Sequence, residues 1–303
     1  MPRSSRSARP TGTTRPGARR RLPVLAACAA AAALVTGVGA PAYAADPAPL
    51  APGTALSPTP ENRPGFHPDR DFAGSTVAAH EGRDGGSPLA ALDAAVQTPG
   101  MDVASYQGNV DWSTAAANGA QFAYVKATEG TSYTNPSFGQ QYNGSYDAGL
   151  IRGAYHFALP GDSSGSAQAN WFVDHGGGWS ADGATLPPAL DIEYNPYGAS
   201  CYGLSRSAMV GWIGDFSTTV HNRTGRYPTI YTATNWWASC TGNYGGFGAT
   251  NPLWIARYSS TVGTLPNGWG YQTFWQYADS GTFPGDQDLF NGATDRLSAL
   301  ALG

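Results

Sequence analysis

The sequence predicts an α/β fold, a (β/α)8-type barrel with helices missing between the last strands. Three observations predict it. Eight short β-like runs recur between residues 99 and 303, helical stretches fit between the early ones, and the connections after residue 250 are too short and turn-rich to hold helices.

The β-like runs lie near 99–105, 121–127, 151–157, 188–193, 228–232, 253–258, 271–277 and 282–290, each closed by polar residues or glycine. Between the first four, Asp111 to Asn118 ends at Gly119, Pro136 to Ala148 at Gly149, and Ser166 to His175 at Gly176, each a helix stop with glycine just past the end. The clearest helix is Ser205 to Thr224. Met209, Trp212, Ile213, Phe216 and Val220 follow the 3.6 period behind Ser205 as N-cap, and Gly225 stops it. Beyond it, connections such as Thr264-Leu265-Pro266-Asn267-Gly268 are loops.

In the fourth run, Leu190-Asp191-Ile192-Glu193-Tyr194 follows Pro187-Pro188. Positions i and i+2 of a strand share a face, so Asp191 and Glu193 face the same way. Two neighbouring carboxylates repel if both ionise, and one keeps its proton. A protonated acid beside an ionised one is the pair that hydrolysis of a glycosidic bond requires. A sheet end with two solvated acids is the plainer alternative. In barrels of parallel strands the chemistry sits at the carboxyl ends of the strands. Those ends hold Asp102, Lys126, Tyr155 with His156, Asp191 with Glu193, Tyr231, Trp254 with Arg257, Trp275 with Gln276, and Asp286 or Asp288. Acids among aromatics suit a sugar chain, whose C–H faces stack on rings while its hydroxyls seek carboxylates and amides. Taken singly, Trp254 and Trp275 could be core, His156 a structural histidine, and Asp102 and Asp286 loop caps.

Composition divides the chain before the barrel. Residues 1–44 hold seven arginines and no acid, an alanine-rich apolar run from Leu22 to Val38, and the small-residue pair Ala42 and Ala44, a secretory signal with cleavage expected before Ala45. Arg19-Arg20-Arg21 would also serve a twin-arginine route. Cys28 sits in a lipobox-like context, but the apolar run continues past it and Cys28 is expected to leave with the signal. Residues 45–98, rich in Pro, Gly, Ala and Asp and poor in aromatics, read as a disordered linker or propeptide. The expected organisation is therefore a signal peptide over 1–44, a disordered linker or propeptide over 45–98, and a folded unit over 99–303.

Of 17 basic residues seven lie in the signal, leaving 10 against 21 acidic, with Lys126 the single remaining lysine. That balance argues against nucleic acid as a partner. Cys201 and Cys240 remain in an oxidising compartment, where a disulfide is the default and two free buried thiols the alternative. His67, His80, His156, His175 and His221 show no ligand-like spacing, so no metal and no cofactor is expected. No nucleophile-elbow pattern occurs, which argues against a serine hydrolase. A wall-binding module without catalysis is the remaining rival, and all four candidate acids are present to oppose it.

Seven stretches in order resemble the family 25 glycoside hydrolases, secreted N-acetylmuramidases or lysozymes. They are Met101-Asp102-Val103-Ala104-Ser105-Tyr106-Gln107-Gly108 with Val110-Asp111-Trp112; Val125-Lys126-Ala127-Thr128-Glu129-Gly130-Thr131; Ala148-Gly149-Leu150 with Gly153-Ala154-Tyr155-His156-Phe157; Asp191-Ile192-Glu193; Trp254-Ile255-Ala256-Arg257-Tyr258; Phe274-Trp275-Gln276-Tyr277; and Asp286-Gln287-Asp288-Leu289-Phe290-Asn291-Gly292. The resemblance implies an irregular, flattened barrel and hydrolysis of the β-1,4 bond between N-acetylmuramic acid and N-acetylglucosamine in bacterial cell-wall peptidoglycan. It implies Glu193 as general acid, Asp191 in support of charge on the sugar or its acetamido group, and Asp102 and Asp286 completing the cluster, Asp286 fitting the pattern better than Asp288. Tyr155, Tyr194, Tyr231, Trp254, Trp275 and Gln276 would line the groove, with Asp288 among the substrate-binding residues. The expected protein is extracellular, monomeric, and free of the membrane once mature.

Overall fold

The computed structural model describes residues 65–84 and 96–303, which belong to one compact unit. The signal expected over 1–44, with Cys28, and residues 45–64 and 85–95 of the expected linker or propeptide lie outside the described residues.

Among the described residues nine strands form one sheet: β1 (Thr98–Val103), β2 (Phe122–Glu129), β3 (Tyr133–Thr134), β4 (Ile151–Phe157), β5 (Ala189–Asp191), β6 (Thr229–Ala233), β7 (Leu253–Ala256), β8 (Phe274–Ala278) and β9 (Asp286–Phe290). Eight of them run in the order β1-β9-β8-β7-β6-β5-β4-β2, and a parallel β1–β2 pairing closes the ring, with β3 added to the edge of β2. The eight strands match the eight expected runs, and the short β3 hairpin return was not foreseen.

One correction to the parallel expectation matters for the site. β9 runs antiparallel to both neighbours. Residues 279–285 are too few for the crossover that a parallel return needs, so the chain turns back as a hairpin. The first residue of β9, rather than its last, therefore lies at the carboxyl ends of the other strands. Asp286 pairs directly with Asp102.

Among the described residues seven helices accompany the strands: α1 (Val77–Glu81), α2 (Trp112–Ala117), α3 (Phe138–Asp147), α4 (Gly165–Asp174), α5 (Arg206–Thr224), α6 (Thr234–Thr241) and α7 (Thr294–Leu302), with a 3-10 turn at Ser105–Gln107. Asp111 caps α2 by accepting from the Thr114 amide, and Ser205 caps α5 by accepting from Ala208. All five expected apolar residues of α5 are buried. No helix lies between β7 and β8 or between β8 and β9, as the turn-rich sequence there requires.

Inside the barrel Tyr124 stacks on Trp254 at 4.7 Å between ring centres, and Phe274 meets Phe122 at 5.2 Å and Phe290 at 5.4 Å. Glycine makes room for these rings. A Cβ on Gly100 would stand 2.4 Å from Phe122, and one on Gly153 2.4 Å from Tyr124. A second apolar layer, with Met101, Val103, Trp112, Ala123 and Val125, packs on the outside of β1 and β2. Cys201 and Cys240 form a disulfide that ties the loop before α5 to α6, their Cα atoms 5.3 Å apart. Closing a loop of 39 residues removes chain entropy worth about 4 kcal/mol in the loop-closure account.

Residues 65–84 differ from the disorder expected of their composition. Ala73 and Val77 are fully buried, and α1 ends this segment as it lies against the barrel. An average over 45–98 hides the local apolar residues Phe66, Phe72, Ala73 and Val77, which suffice to anchor a short strap.

Candidate active site

Strand β5 ends at Asp191, and the Ile192 amide still donates to the Tyr231 carbonyl at 3.0 Å, so the backbone stays extended through Glu193. Alternation then sends Leu190 and Ile192 outward into apolar packing and Asp191 and Glu193 to the barrel interior. They converge there with Asp102 of β1 and Asp286 of β9. All four are nearly sealed, with Asp102, Asp191 and Glu193 each 1 % exposed and Asp286 2 %.

Gln276 joins the cluster. Its amide donates to Asp102 Oδ2 at 2.8 Å and Asp286 Oδ2 at 3.0 Å, and its carbonyl oxygen accepts from Tyr231 at 2.7 Å and Tyr258 at 3.1 Å. Glu193 accepts from the Gly74 amide at 2.6 Å and the Thr76 hydroxyl at 2.7 Å. Asp191 is unlike them. Among the described residues neither of its carboxyl oxygens has a hydrogen-bond donor.

Burial without full compensation moves every acid upward. Asp102 is pushed up to about 7 by burial, against hydrogen bonds that pull it down. Glu193 is pushed up to about 8, chiefly by burial; Thr76 and Gly74 oppose the shift, and the charges of Asp71 and Asp102 add to it. Asp191 lies well above the usual carboxylate range through burial and then the neighbouring Glu193. Asp286 does too, through burial and then Asp102.

A β-bulge builds a cationic element of the site. Lys126 and Glu129 are three apart, which strict alternation would put on opposite faces, but the register of β2 against β4 shifts between Lys126 and Thr128. The shift lets the buried Lys126 Nζ donate to Glu129 Oε2 at 2.6 Å. Burial holds Glu129 up at about 7 despite that lysine. Tyr197 donates to Glu129 at 2.9 Å and to Asp71.

Several expected site residues occupy other places. Trp275 is turned away from the acids, because Phe274 and Gln276 on either side of it take the inner face. Its indole donates to the Arg257 carbonyl at 2.9 Å and its ring meets Tyr277 at 5.9 Å. Trp254 lies in the barrel beneath the acids rather than along a groove, donating to Asp288 Oδ1 at 2.8 Å. Asp288 is fully buried one pleat deeper than Asp286, a consequence of the reversed β9, and burial with Asp102 beside it raises its pKa well above the usual range. Tyr155 and Tyr231 point inward at the cluster, and Tyr194 stands at its rim, donating to Glu81 at 2.7 Å. His156 is structural: Thr128 and Gln168 engage both ring nitrogens, and burial drives it down to about 3. Sequence reasoning missed Glu129, Tyr197 and Tyr258, and it missed Asp71, Gly74 and Thr76 entirely.

Residues 101–286 match the family described as Glycosyl hydrolases family 25. The chain is 52 % identical over 208 residues to an N,O-diacetylmuramidase of Chalaropsis sp, covering 67 % of this chain and 99 % of that protein. It is 42 % identical over 278 residues to Lysozyme M1 of Streptomyces globisporus, covering 89 % of this chain and 94 % of that protein. Among solved structures, a family GH25 lysozyme from Aspergillus fumigatus superposes with a TM-score of 0.68 at 50 % identity, over 69 % of this chain and 100 % of that one.

Proposed function

We propose that this chain, which belongs to glycosyl hydrolases family 25, is a secreted muramidase that cleaves the β-1,4 bond between N-acetylmuramic acid and N-acetylglucosamine in bacterial peptidoglycan. Glu193 is the general acid and Asp191 the group that supports the sugar's acetamido function. The observation that carries this reading is the pairing of two buried acids on one strand face: burial pushes Glu193 up to about 8, and Asp191 presents two carboxyl oxygens with no donor among the described residues.

The spacing favours neighbouring-group chemistry. Alternate residues on an extended strand have Cα atoms roughly 6.5–7 Å apart and point the same way. A carboxylate nucleophile works from the opposite face of the sugar to the acid, an arrangement this pair supplies poorly. In the proposed course the acetamido oxygen of the muramic acid residue attacks C1. The C1–O bond breaks, and Glu193 gives its proton to the departing oxygen of N-acetylglucosamine. Asp191 accepts the acetamido N–H and stabilises the cyclic cation. Water then attacks C1, Glu193 takes back a proton, and the anomeric configuration is retained. Burial chiefly keeps the pKa of Glu193 high, with a smaller contribution from Asp102, and Gln276 holds Asp102 and Asp286 in place beside it. Tyr155, Tyr194, Tyr231 and Gln276 contact the glycan. Trp254 and Asp288 support them from below.

The export reading completes the proposal: residues 1–44 direct secretion, residues 45–98 form a linker or propeptide, and residues 99–303 act on the wall as a monomer. With 21 acidic residues against 10 basic ones after residue 44, attraction to an anionic wall is absent and groove contacts carry the affinity. Digestion of purified peptidoglycan tests the chemistry. New reducing ends on muramic acid, found by mass spectrometry and missing with Glu193→Gln, are expected. New ends on N-acetylglucosamine alone would mean a different bond is cut.

A further inference from the structure

We propose that residues 66–84 are an autoinhibitory strap that occupies the glycan groove and holds the enzyme inactive until the strap is displaced. The inference rests on the acid cluster being the glycosidase site.

Phe66 and His67 pack on Tyr197 at 5.5 and 5.4 Å, and Lys126 donates to the backbone carbonyls of Pro68 and Asp71. The Ala73 amide donates to the Tyr155 hydroxyl at 3.2 Å, and its carbonyl accepts from Gln276 at 2.8 Å. At Gly74 the backbone reaches the floor of the site. Its amide takes one oxygen of Glu193, its carbonyl accepts from Tyr258 at 3.1 Å, and Thr76 takes the other oxygen of Glu193. Helix α1 then lies over Tyr194, with His80 stacked on that ring at 4.0 Å and Glu81 held by Tyr194, by the Asn235 amide at 3.2 Å and by the Asn235 side chain. Arg83 pairs with Asp279, and the Asp84 amide donates to the Tyr258 carbonyl at 2.9 Å.

Two features make this occupation rather than decoration. The groups satisfied by the strap are the polar groups that a glycan would need: both oxygens of the proposed acid, the Gln276 amide, and the hydroxyls of Tyr155 and Tyr258. The four acids are also at most 2 % exposed, so a sugar polymer cannot reach them while the strap lies in place. The strap lies before the family-model match, which begins at residue 101, but within the stretch aligned with Lysozyme M1, which covers 89 % of this chain.

Gly74 provides the test. Its φ is +91°, and a Cβ there would stand 2.2 Å from the Tyr258 hydroxyl, 2.4 Å from Gln276 Oε1 and 2.9 Å from the Tyr231 hydroxyl. Valine at this position cannot seat, and no barrel residue is altered. The full chain and its Gly74→Val variant are compared for the initial rate of reducing-end release from peptidoglycan and for binding of chitotetraose by calorimetry, with thermal melts to check folding. Gly74→Val is expected to release ends at least about tenfold faster and to bind chitotetraose where the parent does not, since the parent's open fraction limits both. Val77→Asp, which removes the strap's buried apolar anchor, gives the same gain and keeps the test alive should Gly74→Val fold poorly. Equal rates and equal binding in parent and folded variants overturn the strap's role and leave the hydrolase reading standing. Binding gained by the variants with no hydrolysis by any chain supports the blockade and sinks the hydrolase reading instead.

Discussion

Asp191 is the residue on which the chemistry turns, because a fully buried carboxyl without donors is unfavourable unless a partner arrives during function. Replacing it with asparagine keeps its shape but exchanges one acceptor oxygen for an amide donor, which opposes the acetamido N–H instead of accepting from it. Asp191→Asn is therefore expected to lower kcat by about 10²–10³, the loss typical of one preorganised electrostatic group, with a much smaller change in KM. Steady-state kinetics in the strap-displaced background reads this directly, and a rise in KM at constant kcat would assign Asp191 to binding alone. At this scale the sequence was legible wherever strand alternation decides. The shared face of Asp191 and Glu193 follows from i, i+2 spacing alone. That same alternation excludes Trp275, since Gln276 beside it already points at the acids. The pairing of Lys126 with Glu129 escaped notice for the opposite reason: their contact exists only because a bulge interrupts the alternation, and no turn residue marks it.

Among the elements, the helices read best where caps and period agree. Ser205, five apolar residues at helical spacing and Gly225 in the left-handed region define α5 from both ends. A serine cap of this kind is worth about 1 kcal/mol. Helices α6 and α7 were not foreseen. No side-chain cap opens either one, so the signal that marked α5 is missing there. The reversal of β9 was implicit in the short connection after β8. It decides which of Asp286 and Asp288 meets Asp102 at the top of the barrel and which is sealed beneath Trp254. The strap illustrates a different limit. Its anchors are backbone amides, one glycine and a few apolar side chains, and these leave composition close to that of a linker.

For the whole molecule, the buried acids set the pH dependence of stability. Asp102, Glu129 and Glu193 have folded-state values of about 7, 7 and 8, all above their ordinary values of 3.8, 4.5 and 4.5. The folded state thus retains protons that the unfolded chain releases, and their contribution to stability is full below about pH 4 and lost as pH rises through 7 to 8. Asp111 and Asp182, held down at about 2, act in the opposite sense, but that change is complete below their ordinary value of 3.8. The melting temperature of the full chain is expected to fall between about pH 4.5 and pH 8.5, a window set by these values. Thermal melts across that range check it, and a melting temperature that climbs with pH would mean the acids ionise freely in the folded state. Acid and alkaline conditions then differ for the strap as well, since it covers the groups that must ionise.

The central claim is that Glu193 delivers a proton to the departing sugar oxygen, and a leaving-group comparison tests it most directly. In the Gly74→Val background, chains with Glu193 and with Glu193→Gln are assayed on peptidoglycan and on a β-linked N-acetylglucosamine oligomer carrying a dinitrophenyl leaving group, which departs without protonation. The predicted result is a loss of about 10²–10⁴ on peptidoglycan, the range for general acid catalysis, and a loss of less than about tenfold on the activated substrate. An equal loss on both substrates would contradict the assignment, because a general acid has nothing to give a leaving group that needs no proton.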